Sequence, residues 1–275
     1  MSKGITSVEG FVRKVFKVSC ATDRTMFFRG HSNKREYLLQ PSLYRNAGWK
    51  ADEHSMFSEL IASNPTEFAS DLSAFEKLVR MQHHSLPTRL LDITSNPLMA
   101  LYFACDGSPD VDGDGDVIFL KVKNENIKFF DSDTVSCLSN LSRLSPADKS
   151  AFDFTLGIPE FNDADPCPRL LHFICQEKPY FQKCMNPADF SRILCVKTKM
   201  SNKRIAFQAG SFLLFGHDAQ LPEAGSPEIE IERVAISASS KRKIMKELSQ
   251  LNINVSTVYP LLDNSSKFTA EKYKA

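Results

Sequence analysis

The sequence predicts an α+β fold, a single domain with helices packed on a mixed, mostly antiparallel sheet. Three observations lead there. Helical periodicity dominates the first third of the chain, and short apolar runs of strand character dominate the rest. No internal repeat or Gly/Ser-rich linker divides the 275 residues. Hydrophobic residues make up 42%, enough for a sizeable core. The domain is expected to span 1–275, with a core of about 27–263 and a mobile tail at 264–275 that lacks apolar periodicity.

Each element has a local reason. Val8, Phe11, Val12, Val15 and Phe16 recur at helical spacing, predicting a helix over 8–17. Met26-Phe27-Phe28 reads as a short buried strand that delivers Arg29-Gly30 at its end, and 36–39 reads as extended. Residues 53–62 form a helical pattern. Asn64-Pro65 starts another, carrying Glu67 in its first turn and running through Phe68, Leu72, Phe75, Leu78 and Val79 to Gln82. Pro87 forces a turn before a strand at 89–93, and Ser95-Asn96-Pro97 opens a helix through Leu98, Leu101 and Phe103. Further strands are predicted at 117–122, 170–174, 191–196, 211–215 and 229–236. The middle, 131–165, is polar and reads as irregular except for a helix at 146–154. A helix at 241–248 and an extended piece at 254–258 close the fold.

Charge and cysteine usage narrow the function. Lys+Arg number 34 and Asp+Glu 33, a net charge of +1, so no global field draws in nucleic acid or an anionic membrane. No run approaches the roughly 20 apolar residues of a membrane span. The opening MSKGITSVEG has no apolar stretch and does not read as a secretory signal, so a cytoplasmic location is expected. Seven scattered cysteines, an odd number, read as reduced thiols.

No metal is expected. The Asp/Gly loop 110–116 resembles a calcium loop, but Lys121 stands where a bidentate Glu is needed and a strand follows. Cys167, His172, Cys175 and Cys184 lack paired C-x-x-C spacing, and on a strand His172 and Cys175 would point to opposite faces. A P-loop, a G-x-G-x-x-G fingerprint, a G-x-S-x-G elbow and H-E-x-x-H are all missing from the sequence.

Three segments carry the candidate site. In Phe28-Arg29-Gly30-His31, an arginine at a strand end beside a glycine can approach an anion closely. In 82–105, His83 and His84 end a helix, Asp92 follows Arg89 by three residues, and Thr94-Ser95 can cap the helix from Pro97, leaving free backbone N–H groups that suit a phosphate. An Arg89–Asp92 pair that braces the loop competes with a chemical role for Asp92. In 203–212, Gln208 either recognises a polar ligand edge or satisfies loop backbone.

Together these segments resemble the FRG domain, a bacterial family named for its Phe-Arg-Gly motif. Phe28-Arg29-Gly30 is similar to the name motif, and Gln40-Pro41-Ser42-Leu43-Tyr44-Arg45 to the next block. Residues 82–104 resemble the Q-H-x-x-x-P-T-R-L-L-D core, 204–212 the late R-I-x-x-Q-x-G-x-F block, and 244–263 the closing helix and strand. A further similarity is to ADP-ribosyltransferases. These hold NAD with an Arg or His ending a first strand, followed by a strand ending in Ser/Thr and a late strand carrying a catalytic Glu. Phe28-Arg29-Gly30 resembles the first element and Leu90–Ser95 the second, which implies an ADP-ribosyltransferase-like fold. The third departs: the Glu position falls near Arg204. Glu228, Glu230 and Glu232 have E-x-E spacing but read as the charged face of an exposed strand.

The resemblance implies an NAD- or nucleotide-utilising enzyme, a transferase or NAD glycohydrolase, of the kind used in toxins or phage defence. NAD would be a substrate. Arg29, Gly30, Thr94 and Ser95 would bind it. His83 or His84 would supply a proton, and Asp92 and Gln208 would orient the substrate. A macromolecular acceptor or regulatory protein is the expected partner, with no membrane. The alternative is a non-catalytic nucleotide- or protein-binding module on the same scaffold. A nuclease is the weaker third reading, because no second carboxylate adjoins Asp92 to complete a metal pair.

Overall fold

Strand β1 (Arg24–His31) sits near the centre of a seven-stranded sheet. The other strands are β2 (Leu90–Thr94), β3 (Gly115–Lys123), β4 (Ile127–Phe129), β5 (Ile193–Lys197), β6 (Gly210–Phe215) and β7 (Ile229–Ile236). The order is β4-β5-β6-β2-β1-β3-β7. Among the described strands β4 and β5 pair in parallel and the other five neighbouring pairs are antiparallel, so the sheet is mixed and mostly antiparallel, as the sequence predicts. The computed structural model describes residues 4–107, 113–199 and 207–260, with Ser266 and Thr269. The start of the acidic loop, the basic residues Lys203 and Arg204, residues 261–263 and nearly all of the tail lie outside the described residues.

Helices pack on the sheet as α1 (Val8–Lys17), α2 (Ala47–Ala51), α3 (Glu53–Ser63), α4 (Pro65–Phe68), α5 (Ala74–His83) and α6 (Pro97–Cys105). Later in the chain come α7 (Asp133–Asn140), α8 (Pro146–Ser150), α9 (Ile158–Asp163), α10 (Cys167–Glu177), α11 (Lys241–Gln250) and α12 (Val255–Val258). Among the described residues no helix is long and apolar enough to cross a membrane.

The strand registers show how the helices are divided. Directly opposed residues of an antiparallel pair share a face. Phe28 therefore shares one with Phe119 and Thr94, and Asp92, Leu90 and Phe212 follow by alternation. On that face two apolar blocks stand side by side. One joins Leu90, Phe212 and Leu214 to buried residues of α5, α7 and α10, and the other joins Phe28, Val117 and Phe119 to α1, α6 and α11. Loop residues Leu39, Ala219 and Leu221 cover the opposite face, over Phe27, Leu91, Ile93 and Ile118. The boundary between the two blocks runs over the β1–β2 seam.

Five expectations are corrected. The strand predicted at 170–174 is the middle of α10, whose buried Cys167, Leu170 and Ile174 mark one helical stripe. His172 and Cys175 are thus on a helix and not on opposite faces of a strand. The long helix predicted to start at Asn64 is two helices: it stops after Phe68 and restarts at Ala74 under a Ser73/Glu76 capping box. The region 131–165 is not irregular, since α7 and α9 bury Val135, Leu138 and Phe161. Residues 254–258, read as extended, form α12 with Asn254 as its cap. Residues 36–39 are turn and loop, and β4 has no counterpart in the sequence reading.

Candidate functional site

The site begins where the sheet is weakest. β3 pairs with β1 along all eight of its residues, and β6 with all five of β2, yet β1 and β2 meet only at Phe28 opposite Thr94. Beyond that pair the strands part. The Arg29 side chain spans the gap, and its Nη1 donates to the Asp92 carbonyl at 2.6 Å. A side chain thus stands in for the missing ladder hydrogen bond. A cavity of about 580 Å³ opens over the seam, between the end of α5 and the end of α6. That volume suits a small-molecule ligand.

Arg29, Gly30, His83, Asp92, Thr94 and Gln208 all line this cavity. Six of the eight sequence-derived candidates therefore converge, from four separate parts of the chain. The other two do not line it. His84 is the exposed C-cap of α5, its ring packed edge-on against His83. Ser95 is exposed, and its backbone N–H donates to Ala209 O at 3.2 Å.

Local bonding shows what each lining group is free to do. Arg29 lines the cavity, and burial lowers its proton affinity, Asp92 raises it and Arg45 lowers it again. A guanidinium stays charged through shifts of this kind. Its Nε donates to His31 Nε2 at 3.0 Å. Burial, then Arg29, Arg233 and Arg45, push the His31 imidazole down to about 2, so the ring is neutral. The Asp92 carboxylate faces solvent, and its Oδ2 accepts from Gln82 Nε2 at 2.8 Å. The Gln82 carbonyl accepts from Thr88 Oγ1 at 2.7 Å, which fixes the amide's orientation. Phe28, Phe103, Phe212 and Tyr37 supply aromatic walls.

Other lining groups are committed to structure. Gly30 faces α6, and a Cβ there would lie 2.0 Å from Ala100 O and 2.6 Å from Ala104 N. The space that the sequence reading reserved for a ligand is taken by a helix backbone. The Thr94 hydroxyl donates to Gln208 O at 2.6 Å and accepts from Asn96 N at 3.0 Å. Asn96, not Thr94-Ser95, caps α6, with its Oδ1 accepting from Leu98 N at 3.0 Å. The Gln208 amide donates to Val258 O at 3.0 Å. Tyr259 hydroxyl donates to Asp106 Oδ2 at 3.1 Å, so the closing segment braces the cavity at two points.

The Arg89–Asp92 brace is also corrected. Arg89 is buried and pairs with Glu53 through Nε–Oε1 at 2.8 Å and Nη2–Oε2 at 2.5 Å, while Lys149 Nζ reaches Glu53 Oε2 at 2.6 Å. Asp92 is thereby released from the role of brace. Glu230 pairs with Arg24, and Glu232 with Lys14 and Lys121, away from the cavity. The described residues hold no group of three or more His, Cys, Asp or Glu able to bind a metal.

Sequence reasoning missed Gln82, His31, Tyr37, Phe103 and Asp106, which also line the cavity. Gln82, His31 and Phe103 sit inside the quoted segments and were within reach. Tyr37 and Asp106 carry no local signal. Comparison with known proteins gives one family: residues 24–112 match the FRG domain. No curated protein and no solved structure gives a significant match to the chain. The matched stretch holds β1, β2, α5 and α6, the elements that frame the cavity.

Proposed function

We propose, with the FRG domain at residues 24–112 as premise, that the cavity over the β1–β2 seam binds a nucleotide, foremost NAD, and that the protein is an ADP-ribosyltransferase-like transferase or NAD glycohydrolase. The observation that carries this reading is the convergence of Arg29, His83, Asp92 and Gln208 on one cavity. The lining suits such a substrate: one guanidinium for a phosphate, aromatic walls for flat rings, and a solvent-facing carboxylate for ribose hydroxyls.

The chemistry follows from those groups. Arg29 anchors a phosphate. The bond between the ribose carbon and the nicotinamide nitrogen breaks, and nicotinamide leaves with the bonding pair. An oxygen nucleophile, from water or an acceptor, bonds to that carbon, and its proton passes to His83 or Asp92. Asp92 also offsets the positive charge that develops on the sugar. Gln208 shapes the wall opposite. His84 and Ser95 have no part in the proposal. A role in a bacterial toxin or phage-defence system, acting on a macromolecular acceptor in the cytoplasm, is the setting the family resemblance suggests.

A second reading, a nucleotide-binding module without catalysis, is favoured by a specific observation. No glutamate lines the cavity among the described residues, and Asp92 and Thr94 are already engaged with protein groups. Incubation with labelled NAD and cell RNA, DNA and protein separates the two. Nicotinamide release or label transfer that Arg29→Ala abolishes supports the enzyme. Absent turnover with calorimetric NAD binding retained supports the module, and absent binding rejects both.

A further inference from the structure

His31 ends β1 at 2% exposure, and Asp116 lies opposite it on β3 at 3% exposure. Because Arg29 Nε donates to His31 Nε2, that nitrogen carries no proton, and the neutral ring holds its proton on Nδ1. Nδ1 lies 3.7 Å from Asp116 Oδ1, beyond hydrogen-bond range. Both atoms are buried and have no other partner. Two facing, complementary, unpaired polar atoms in a protein interior are costly and call for an explanation. The other Asp116 oxygen is held by Arg233, which also binds Glu223.

We infer that Asp116 and His31 are positioning residues for Arg29. Asp116 selects the Nδ1–H tautomer, and His31 Nε2 then fixes the Nε edge of the guanidinium, leaving its Nη2 to meet a phosphate of the ligand. This rests on the reading that Arg29 contacts a nucleotide. The geometry adds a constraint: Nη1 is spent on Asp92 O, so a single guanidinium edge is presented to the phosphate. A protonated His31 would donate at Nε2 and could not hold Arg29. Burial and three neighbouring arginines keep the ring neutral.

The test uses the full chain and two readouts. Without ligand, ¹⁵N-resolved NMR reports the His31 tautomer and the Arg29 Nε–H resonance, assigned by its loss in Arg29→Lys. The Nδ1–H form and a protected Nε–H are expected, with that protection lost in His31→Phe. With ligand, calorimetry compares ADP with adenosine. His31→Phe is expected to weaken ADP about 10-fold and leave adenosine unchanged, with no further loss in an Arg29→Ala background. An Nε2–H tautomer, an unaltered Arg29 resonance in His31→Phe, or additive losses overturn the inference. Should His31→Phe fail to fold, Asp116→Asn takes its place, and an unchanged tautomer and Arg29 resonance there overturn it equally. If the wild type binds no ADP, the nucleotide reading falls while the NMR readout still decides the positioning pair.

Discussion

Replacing Glu53 by Gln is expected to destabilise the protein by about 3 kcal/mol at neutral pH, through the buried Arg89–Glu53–Lys149 cluster. Glu53 is 4% exposed. Burial alone would raise its pKa, but Arg89 and Lys149 outweigh that and bring it from 4.5 to about 2. A pKa difference of about 2.5 corresponds to about 3.4 kcal/mol of stability once the carboxylate is ionised in both states. Breaking a buried pair from one side costs about 3–5 kcal/mol by independent precedent, so the two routes agree. The sign fixes the pH window. A depressed carboxylate stabilises fully above its unfolded pKa, near 4.5, and loses that contribution as pH falls toward about 2. At pH 3 about 1.4 kcal/mol should remain. Urea unfolding of wild type and Glu53→Gln at pH 7, 5 and 3 measures the gap, and acid effects elsewhere cancel in the difference. A gap below about 1 kcal/mol at pH 7, or one that does not narrow at pH 3, refutes the cluster as a stabilising unit.

Two other substitutions probe how the seam is built. Gly30→Ala forces a methyl group into the backbone of α6, and a loss of about 3 kcal/mol or more is expected. An unchanged melting temperature would show that β1 and α6 are not in contact as described. Thr94→Val removes the hydroxyl that joins Gln208 O to Asn96 N, with an expected cost of about 1–3 kcal/mol and faster hydrogen exchange at the Asn96 amide. Unaltered exchange there would mean that the hydroxyl carries no structural link.

The legible parts of the fold were those whose pattern is local. β3, β5 and β6 are short apolar runs bounded by polar residues, β7 sets Ile229 and Ile231 against Glu230 and Glu232 in alternation, and α1 has a clear 3.6-residue stripe. Leu170-Leu171 and Phe173-Ile174 sit in a short apolar cluster, where periodicity alone does not separate strand from helix. The break between α4 and α5 was encoded, since Ser73-x-x-Glu76 is a capping box, but the apolar residues on either side continue in phase and masked it. In α7 the buried Ser136, Ser139 and Asn140 made the segment look polar. Ser139 and Asn140 satisfy themselves on carbonyls one turn earlier, so polarity there does not imply exposure. The partner of Arg89 was illegible for a different reason. Glu53 lies 36 residues away, and proximity in sequence favoured Asp92.

The candidate site was legible as a set of residues and not as a set of roles, and the sheet explains why. Phe28–His31 lies on the β1 side of the seam, Gln82–Thr94 on the β2 side, and Gln208–Phe212 beside them on β6. A seam held by one register pair needs support from both flanks, and motif residues supply it. Gly30 lets α6 approach, Thr94 ties β2 to the loop before β6, and Arg89 anchors the start of β2 to α3. The same short blocks must also furnish whatever meets a ligand. Along β1 support and chemistry alternate, with Phe28 and Gly30 on one face and Arg29 on the other, while on β2 Asp92 and Thr94 share a face and divide the two tasks between them. Arg29 serves both ends, since it spans the seam and holds His31, whereas Asp92, whose carboxylate faces solvent, is the group whose loss should alter ligand binding with little effect on stability. That contrast with Gly30 and Thr94 is the physical distinction the motif alone does not make.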